Sequence, residues 1–285
     1  MYVPQEKRTD FFRMLPRLYR KDLIMYKKLD KKYFFFDIDG TLTDRTTGLI
    51  VPSAREAVRK LEEAGHFVSL ATGRAFYKAV PFAEKHGFKN MVCNGGHGIY
   101  IDGSLRENCP IDYDRALAIY REAISLGYGV LATMDDSKKV YARDFRFIEQ
   151  VGPRQEPTTY IIDDTFDPAD YDKIYKLYIS VPEEEEDRLT LLDTLGHMRF
   201  VRDYVMFQPD EKKDGILRML ELTGGNPSSV VVFGDDTNDM VMFDPAFYCV
   251  AMGNGSEELK AKADYIAARN LEDGIYRACQ EHGWF

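Results

Sequence analysis

The chain has 285 residues, 45% of them hydrophobic, and a formal net charge of −9 with a pI near 5.2. That length accommodates a sizeable core in one or two domains, and the acidic balance argues against a general nucleic-acid binder. No apolar stretch approaches the ~20 residues of a membrane span, and Cys93, Cys109, Cys249 and Cys279 show no ligand or redox spacing, so buried free thiols in a reducing cytoplasm are expected.

Residues 1–32 stand apart. They carry ten Lys and Arg against four Asp and Glu, while the remainder carries 28 against 43, a net of −15. The stretch DFFRMLPRLYRKDLIMYKKL has amphipathic helical character interrupted by Pro16, without the apolar core of a secretory signal. It is expected to be a basic extension, either a helix packed on the domain or a leader before a start at Met25. A membrane-surface anchor is the weaker alternative.

KYFFFDIDGTLT follows. Tyr33 to Phe36 is a continuous apolar run, the pattern of a strand covered on both faces of a parallel sheet. Asp37 and Asp39 would then lie at its carboxyl end, where open α/β sheets bind ligands. An Asx-type turn with Gly40 supplying the bend is the competing structural reading. Next, SAREAVRKLEEAG pairs Ser53 with Glu56 at capping-box spacing and ends on Gly65, which predicts a helix. FVSLATGR reads as a strand ending in Thr72-Gly73-Arg74, and a helical stretch broken or started at Pro81 follows. NMVCNGG is a strand ending at Asn94.

Residues 111–203 have their own rhythm. A helix is expected over DYDRALAIYREAISLG, strands over VLATMD, KKVYARD and KIYKLYISV, and a further helix over EEEEDRLTLLDTLG. Beyond them, DEKKDGILRML starts an amphipathic helix with Lys212 and Lys213, SSVVVFGDD is a strand ending at Asp235, and YCVAMGN is another. Strands alternating with helices indicate a doubly wound, mostly parallel sheet. The domain reading is therefore an α/β, Rossmann-like core of residues 33–110 and 204–285 with an α/β cap inserted at 111–203.

The strand ends carry DxDGT, TGR, NGG and GDD in turn, and in one sheet these converge on a single crevice. Acids, a lysine, a threonine and an asparagine suit Mg²⁺ plus a phosphoryl group. The order DxDGT, TGR, a loop lysine and GDxxND resembles the haloacid dehalogenase-like hydrolases, and within them the Cof-type phosphatases, over residues 33 to 285. NGG, VAMGN at Val250 to Asn254 and ADYIAARNLEDG also fit that subgroup.

The resemblance implies that Asp37 is a nucleophile forming an aspartyl-phosphate and that Asp39 is the general acid and base. It implies Mg²⁺ held by the Asp37 carboxylate, the Asp39 carbonyl and Asp235, with Asp239 orienting that set and Asp236 a mere neighbour. Ile38, Thr72, Gly73, Lys213 and Asn238 would hold the phosphoryl oxygens, and Arg74 and Asn94 would contact the rest of the substrate. The expected activity is cytoplasmic hydrolysis of small phosphomonoesters such as sugar phosphates, with neither nucleic acid nor a membrane span involved. A phosphotransferase such as a phosphomannomutase shares the core motifs, and a non-catalytic binding module on the same fold is the third reading. Other features have plain readings. Glu183 to Asp187 is a solvated helical turn, and the glycines around Gly95 lack a dinucleotide fingerprint. YDKIYKLYIS is a helix end and strand of the cap, not a ligand platform. Of the five histidines only His97, beside NGG, is a candidate to face the crevice, with packing the plainer reading.

Overall fold

The computed structural model describes residues 30–285, so the amphipathic part of the basic extension lies outside the described residues. The first strand, β1 (Tyr33–Phe36), is buried along its whole length. Phe34 and Phe36 point to one side, against Ile38, Leu42, Ala57 and Leu61. Tyr33 and Phe35 point to the other, against Ile216, Met219 and Leu220. This period-2 alternation between two apolar layers explains why the run is continuous rather than alternating. Each buried phenylalanine contributes about 1.5–3 kcal/mol relative to exposure.

Around β1 lie β2 (Phe67–Ala71), β3 (Met91–Cys93), β4 (Gly98–Ile101), β5 (Ser104–Asn108), β12 (Val230–Gly234), β13 (Tyr248–Ala251) and β14 (Tyr265–Ile266). The sheet order is β14-β13-β12-β1-β2-β3-β4-β5. From β14 to β3 all pairings are parallel, and β4 and β5 close the edge as antiparallel strands. Chain order reverses between β1 and β12, which opens a crevice at their carboxyl ends. Helices α1 (Pro52–Glu63) and α2 (Phe76–His86) pack on this sheet, and α2 runs through Pro81 without ending there. The capping box expected at Ser53 and Glu56 does not form. Pro52, with φ preset for a first helical position, starts α1 two residues earlier with Val51 as N-cap, and the Ser53 hydroxyl is left without a partner. Gly65, at φ +89°, ends the helix as expected.

The inserted region forms a second sheet from β6 (Val130–Thr133), β7 (Lys139–Ala142), β8 (Thr159–Ile162), β9 (Lys176–Ile179), β10 (His197–Val201) and β11 (Tyr204–Phe207), in the order β10-β11-β9-β6-β7-β8. Helix α3 (Tyr113–Ser125) is N-capped by Asp112 and buries Ala116, Ile119 and Ala123 in the cap core, and the short helix α4 (Arg146–Val151) buries Phe147. The expected boundary at 203 is corrected. Residues 204–207 pair with β9 and with β10, because Val205 and Phe207 bury into the cap's own apolar cluster. The return to the core is therefore residues 208–211. The helix expected over EEEEDRLTLLDTLG is also corrected, to two 3₁₀ turns at Glu183–Arg188 and Leu192–Thr194. Adjacent carboxylates repel, and three arginines engage them: Arg202 with Glu183 and Glu184, Arg188 with Glu185 and Arg199 with Glu186. Among the described residues no helix is long and apolar enough to cross a membrane. Cys93, Cys249 and Cys279 are buried free thiols, whereas Cys109 is exposed.

Candidate active site

A crevice of about 710 Å³ lies between the carboxyl ends of the core strands and the cap. Its floor is built from strand ends. Asp37, next after β1, is 5% exposed, and its amide donates to Phe233 O at 3.0 Å, which fixes it beside β12. Asp235 follows β12, and one carboxylate oxygen each of Asp37, Asp235 and Asp239 can lie within 4.8 Å of the others. Burial pushes the Asp37 carboxyl up to about 7, with the Asp239 charge adding and Lys212 opposing. Burial likewise raises Asp235 to about 6 against the pull of Arg45. Buried carboxylates this crowded call for a cation.

Part of that charge is supplied by Lys212. Its Nζ donates to Asp37 Oδ1 at 2.9 Å and to Asp239 Oδ1 at 2.6 Å, and the side chain is 1% exposed. Burial opposes its charge, but Asp239 and Asp37 more than offset this and raise its pKa. Lys213 was the expected lysine, and the structure corrects this. Successive residues on a helix are about 100° apart, so only one of the pair can face the crevice. Helix α5 (Lys212–Thr223) turns Lys213 outward onto Asp244 at 2.7 Å.

Asp239 has both carboxylate oxygens engaged. Oδ1 accepts from Lys212, and Oδ2 accepts from the amides of Asp235 and Asp236. Such a side chain orients its neighbours instead of offering a free lone pair to an ion. Asp235 accepts from Thr41 Oγ1 at 2.9 Å and from Arg45 Nη2 at 2.9 Å, and Arg45 also reaches Asp236 at 2.7 Å. Neither Thr41 nor Arg45 was given a role from the sequence, although Thr41 is the last residue of DxDGT and Arg45 lies four residues beyond it. The Asp37 and Asp235 oxygens are hard donors of the type Mg²⁺ takes, so the donor set fits that ion.

The remaining expected residues are placed as follows. Asp39 is more than half exposed and lines the crevice, paired in a fork with Arg74 through Nε at 2.9 Å and Nη2. Arg74, expected on the substrate, is thus committed to Asp39. Thr72 is buried and its Oγ1 accepts from the Arg74 amide at 3.1 Å. The amides of Ile38 and Gly73 have no acceptor among the described residues. Asn238 and Asn94 both line the crevice, and Asn94, at φ +49°, donates from Nδ2 to Asn108 Oδ1 at 3.3 Å.

His97 does not face the crevice. It spans the two chain crossings between core and cap, with Nδ1 3.2 Å from Pro110 O and Nε2 3.0 Å from Glu211 Oε2. The NGG turn sits directly on the return crossing. A Cβ at Gly95 would lie 1.9 Å from Pro209 O, and one at Gly96 2.1 Å from Glu211 O. The Glu211 amide donates to Gly95 O at 2.6 Å.

The roof belongs to the cap and was missed from sequence. YDKIYKLYIS contributes Tyr175, Lys176 and Tyr178 to the lining of the crevice. Alternation along β9 puts Lys176 and Tyr178 on one face.

A family model described as haloacid dehalogenase-like hydrolase matches residues 34–279. YkrA of Bacillus subtilis (strain 168), which carries a provisional phosphatase name, is 28% identical over 260 residues, covering 90% of this chain and 99% of that protein. The pyridoxal phosphate phosphatase YbhA of Escherichia coli (strain K12) is 26% identical over 270 residues, covering 86% and 96%. A hypothetical protein of Geobacillus kaustophilus HTA426, known from its crystal structure, is 26% identical with a TM-score of 0.74, covering 90% of this chain and all of that one.

Proposed function

The chain belongs to the haloacid dehalogenase-like hydrolases and is a phosphoric monoester hydrolase, and from that premise we propose a Mg²⁺-dependent phosphatase acting on small metabolite phosphomonoesters, sugar phosphates among them, through an aspartyl-phosphate at Asp37. The observation that carries this reading is the buried triad of Asp37, Lys212 and Asp239 beside Asp235, at the floor of a crevice roofed by a second domain. Mg²⁺ bound by Asp37 and Asp235 would neutralise charge between the carboxylates and an incoming phosphoryl group.

The chain's own groups account for the remaining steps. Lys212 holds the Asp37 carboxylate in one orientation, with Oδ2 available to attack phosphorus. As the new P–O bond forms, the ester bond breaks and Asp39 gives its proton to the leaving alcohol oxygen. In the second half, Asp39 takes a proton from water, whose oxygen attacks phosphorus. The Asp37–phosphorus bond then breaks and inorganic phosphate leaves. Arg74 steers Asp39 through its fork. The free amides of Ile38 and Gly73, with Thr72 and Asn238, suit the three phosphoryl oxygens. Relatives named for pyridoxal phosphate and for 5-amino-6-(5-phospho-D-ribitylamino)uracil act on small phosphomonoesters, which supports the size class.

The test is phosphate release from a panel of small esters. Activity is expected to vanish on chelation, to return with Mg²⁺ and to be abolished by Asp37→Asn. Release without a bisphosphate activator separates a phosphatase from a phosphomutase. Full turnover by Asp37→Asn, or by demonstrably metal-free protein, would overturn the mechanism.

A further inference from the structure

The roof of the crevice holds a cation with no counter-ion. Lys176 on β9 is 9% exposed and lines the crevice. Among the described residues its one side-chain hydrogen bond is to a neutral acceptor, Gln208 Oε1 at 2.6 Å. An ammonium has three donors, so this one is buried with most of its capacity unused. A buried charge without a partner is costly and persists where something else compensates it.

The neighbouring acids are already engaged. Glu156 is shared by Lys78 and Arg154. Asp136 accepts from the Tyr77 amide at 3.2 Å and from Asn108 Nδ2 at 3.0 Å. Arg154 is held over the Tyr178 ring, its Cζ 4.1 Å from the centroid, and its buried Nε has no partner among the described residues. Two cationic side chains thus present unused donors to the same roof, opposite the acidic floor. Burial lowers the Lys176 pKa to about 8, with the Lys78 charge adding to the fall. An anion beside it would act in the opposite direction.

We propose that this roof is an anion subsite for the leaving group, so that the alcohol released carries a second anionic group, a carboxylate or another phosphate, seated against Lys176 and Arg154. The inference rests on the phosphatase reading and narrows it from small phosphomonoesters to those with an anionic leaving group. The phosphoryl group is bound at the floor, which is acidic apart from Lys212, Arg45 and Arg74. The leaving group points toward the cap, where Asp135 and Asp203 also line the crevice but Lys176 is the buried cation left without a counter-ion among the described residues. Lys176 is a compact point charge and suits either anion, while the planar Arg154 is fixed by its stacking.

The experiment uses the full chain with Mg²⁺ and compares matched esters: 3-phosphoglycerate against glycerol 3-phosphate for the carboxylate, and fructose 1,6-bisphosphate against fructose 6-phosphate for the second phosphate. A charge-assisted hydrogen bond in a dry site corresponds to roughly tenfold or more in kcat/KM. The wild type is expected to favour the anionic member of at least one pair by that factor, and the pair that responds identifies the anion. Lys176→Met should bring that ratio close to one, and Lys176→Arg should restore part of it. If Lys176→Met does not fold, Lys176→Gln, which keeps a donor for Gln208, makes the same comparison. Wild-type ratios near one in both pairs would overturn the subsite while leaving the phosphatase reading intact. A ratio unchanged in a folded Lys176 variant would overturn it as well. No phosphate release from any ester, p-nitrophenyl phosphate included, would count against the phosphatase reading itself.

Discussion

Lys212 and Lys213 are adjacent and chemically identical, and their fates show what burial does to a charge. Lys212 neutralises two buried carboxylates, so Lys212→Met leaves Asp37 and Asp239 facing each other without compensation. Removing one partner of a buried ion pair costs about 3–5 kcal/mol, and activity should fall with it. Lys213→Ala breaks a solvent-screened pair with Asp244, so the urea denaturation midpoint should barely move and turnover should be retained. Equal effects of the two substitutions would show that the helix start is set in the wrong phase. Sequence could show that a lysine enters the site, because KK opens a helix after an acidic loop. It could not show which one, since a one-residue shift in the helix start exchanges their directions. For Asp37, Asp39, Thr72, Asn94 and Asp235 no such ambiguity arises. Asp37, Thr72, Asn94 and Asp235 are each the first residue beyond a buried strand and Asp39 is the third, and the sheet alone brings them together.

At the level of elements, the parallel strands were legible because each is a continuous apolar run, and α3 because Asp112 caps a helix-period stripe. The β4–β5 hairpin carried its own signal, Asp102-Gly103, whose positive φ values of 50° and 75° are those of a tight hairpin turn. The cap's β8 is short and half-buried, and too little apolar contrast remains in it to set a period. One packing contact yields a prediction. Gly215 in α5 lies against β3 and the NGG turn, and a Cβ there would meet Val92 Cγ1 at 2.5 Å and Gly96 O at 2.6 Å. Gly→Ala ordinarily stabilises a helix by about 1 kcal/mol. Here overpacking at a cost of about 1–3 kcal/mol should reverse the sign, so thermal unfolding of Gly215→Ala should occur at a lower temperature than wild type. A higher unfolding temperature would mean that α5 can move away from the sheet at no cost.

Across the whole molecule, the crevice joins groups separated by more than a hundred residues. Asp37 and Lys176 share it only because two sheets face each other, and no local pattern encodes that. This explains why the floor was readable as a set of strand ends while the roof was not. The roof depends on how the cap docks, and docking is set by the crossings at residues 109–112 and 208–211. Charge follows the same division. The described chain is acidic around a crevice of about 710 Å³, a volume that suits a metabolite and excludes a folded protein or a duplex.

The two crossings also dictate an order of events. The return crossing is pinned at its core end, where Gly95 and Gly96 grip Pro209 and Glu211, and His97 ties it to Pro110 on the outgoing crossing. Any swing of the cap must therefore pivot on a line near Pro110 and Pro209, with Lys212 staying seated on the stationary side. The roof travels and the floor does not. What the roof holds departs as soon as the door opens, whereas what the floor holds stays for a separate step. The alcohol should leave first and inorganic phosphate last. Product-inhibition kinetics would then show phosphate competing with substrate for the free enzyme and the alcohol not competing. The reverse pattern would also contradict the aspartyl-phosphate route, in which the alcohol is freed before phosphate forms.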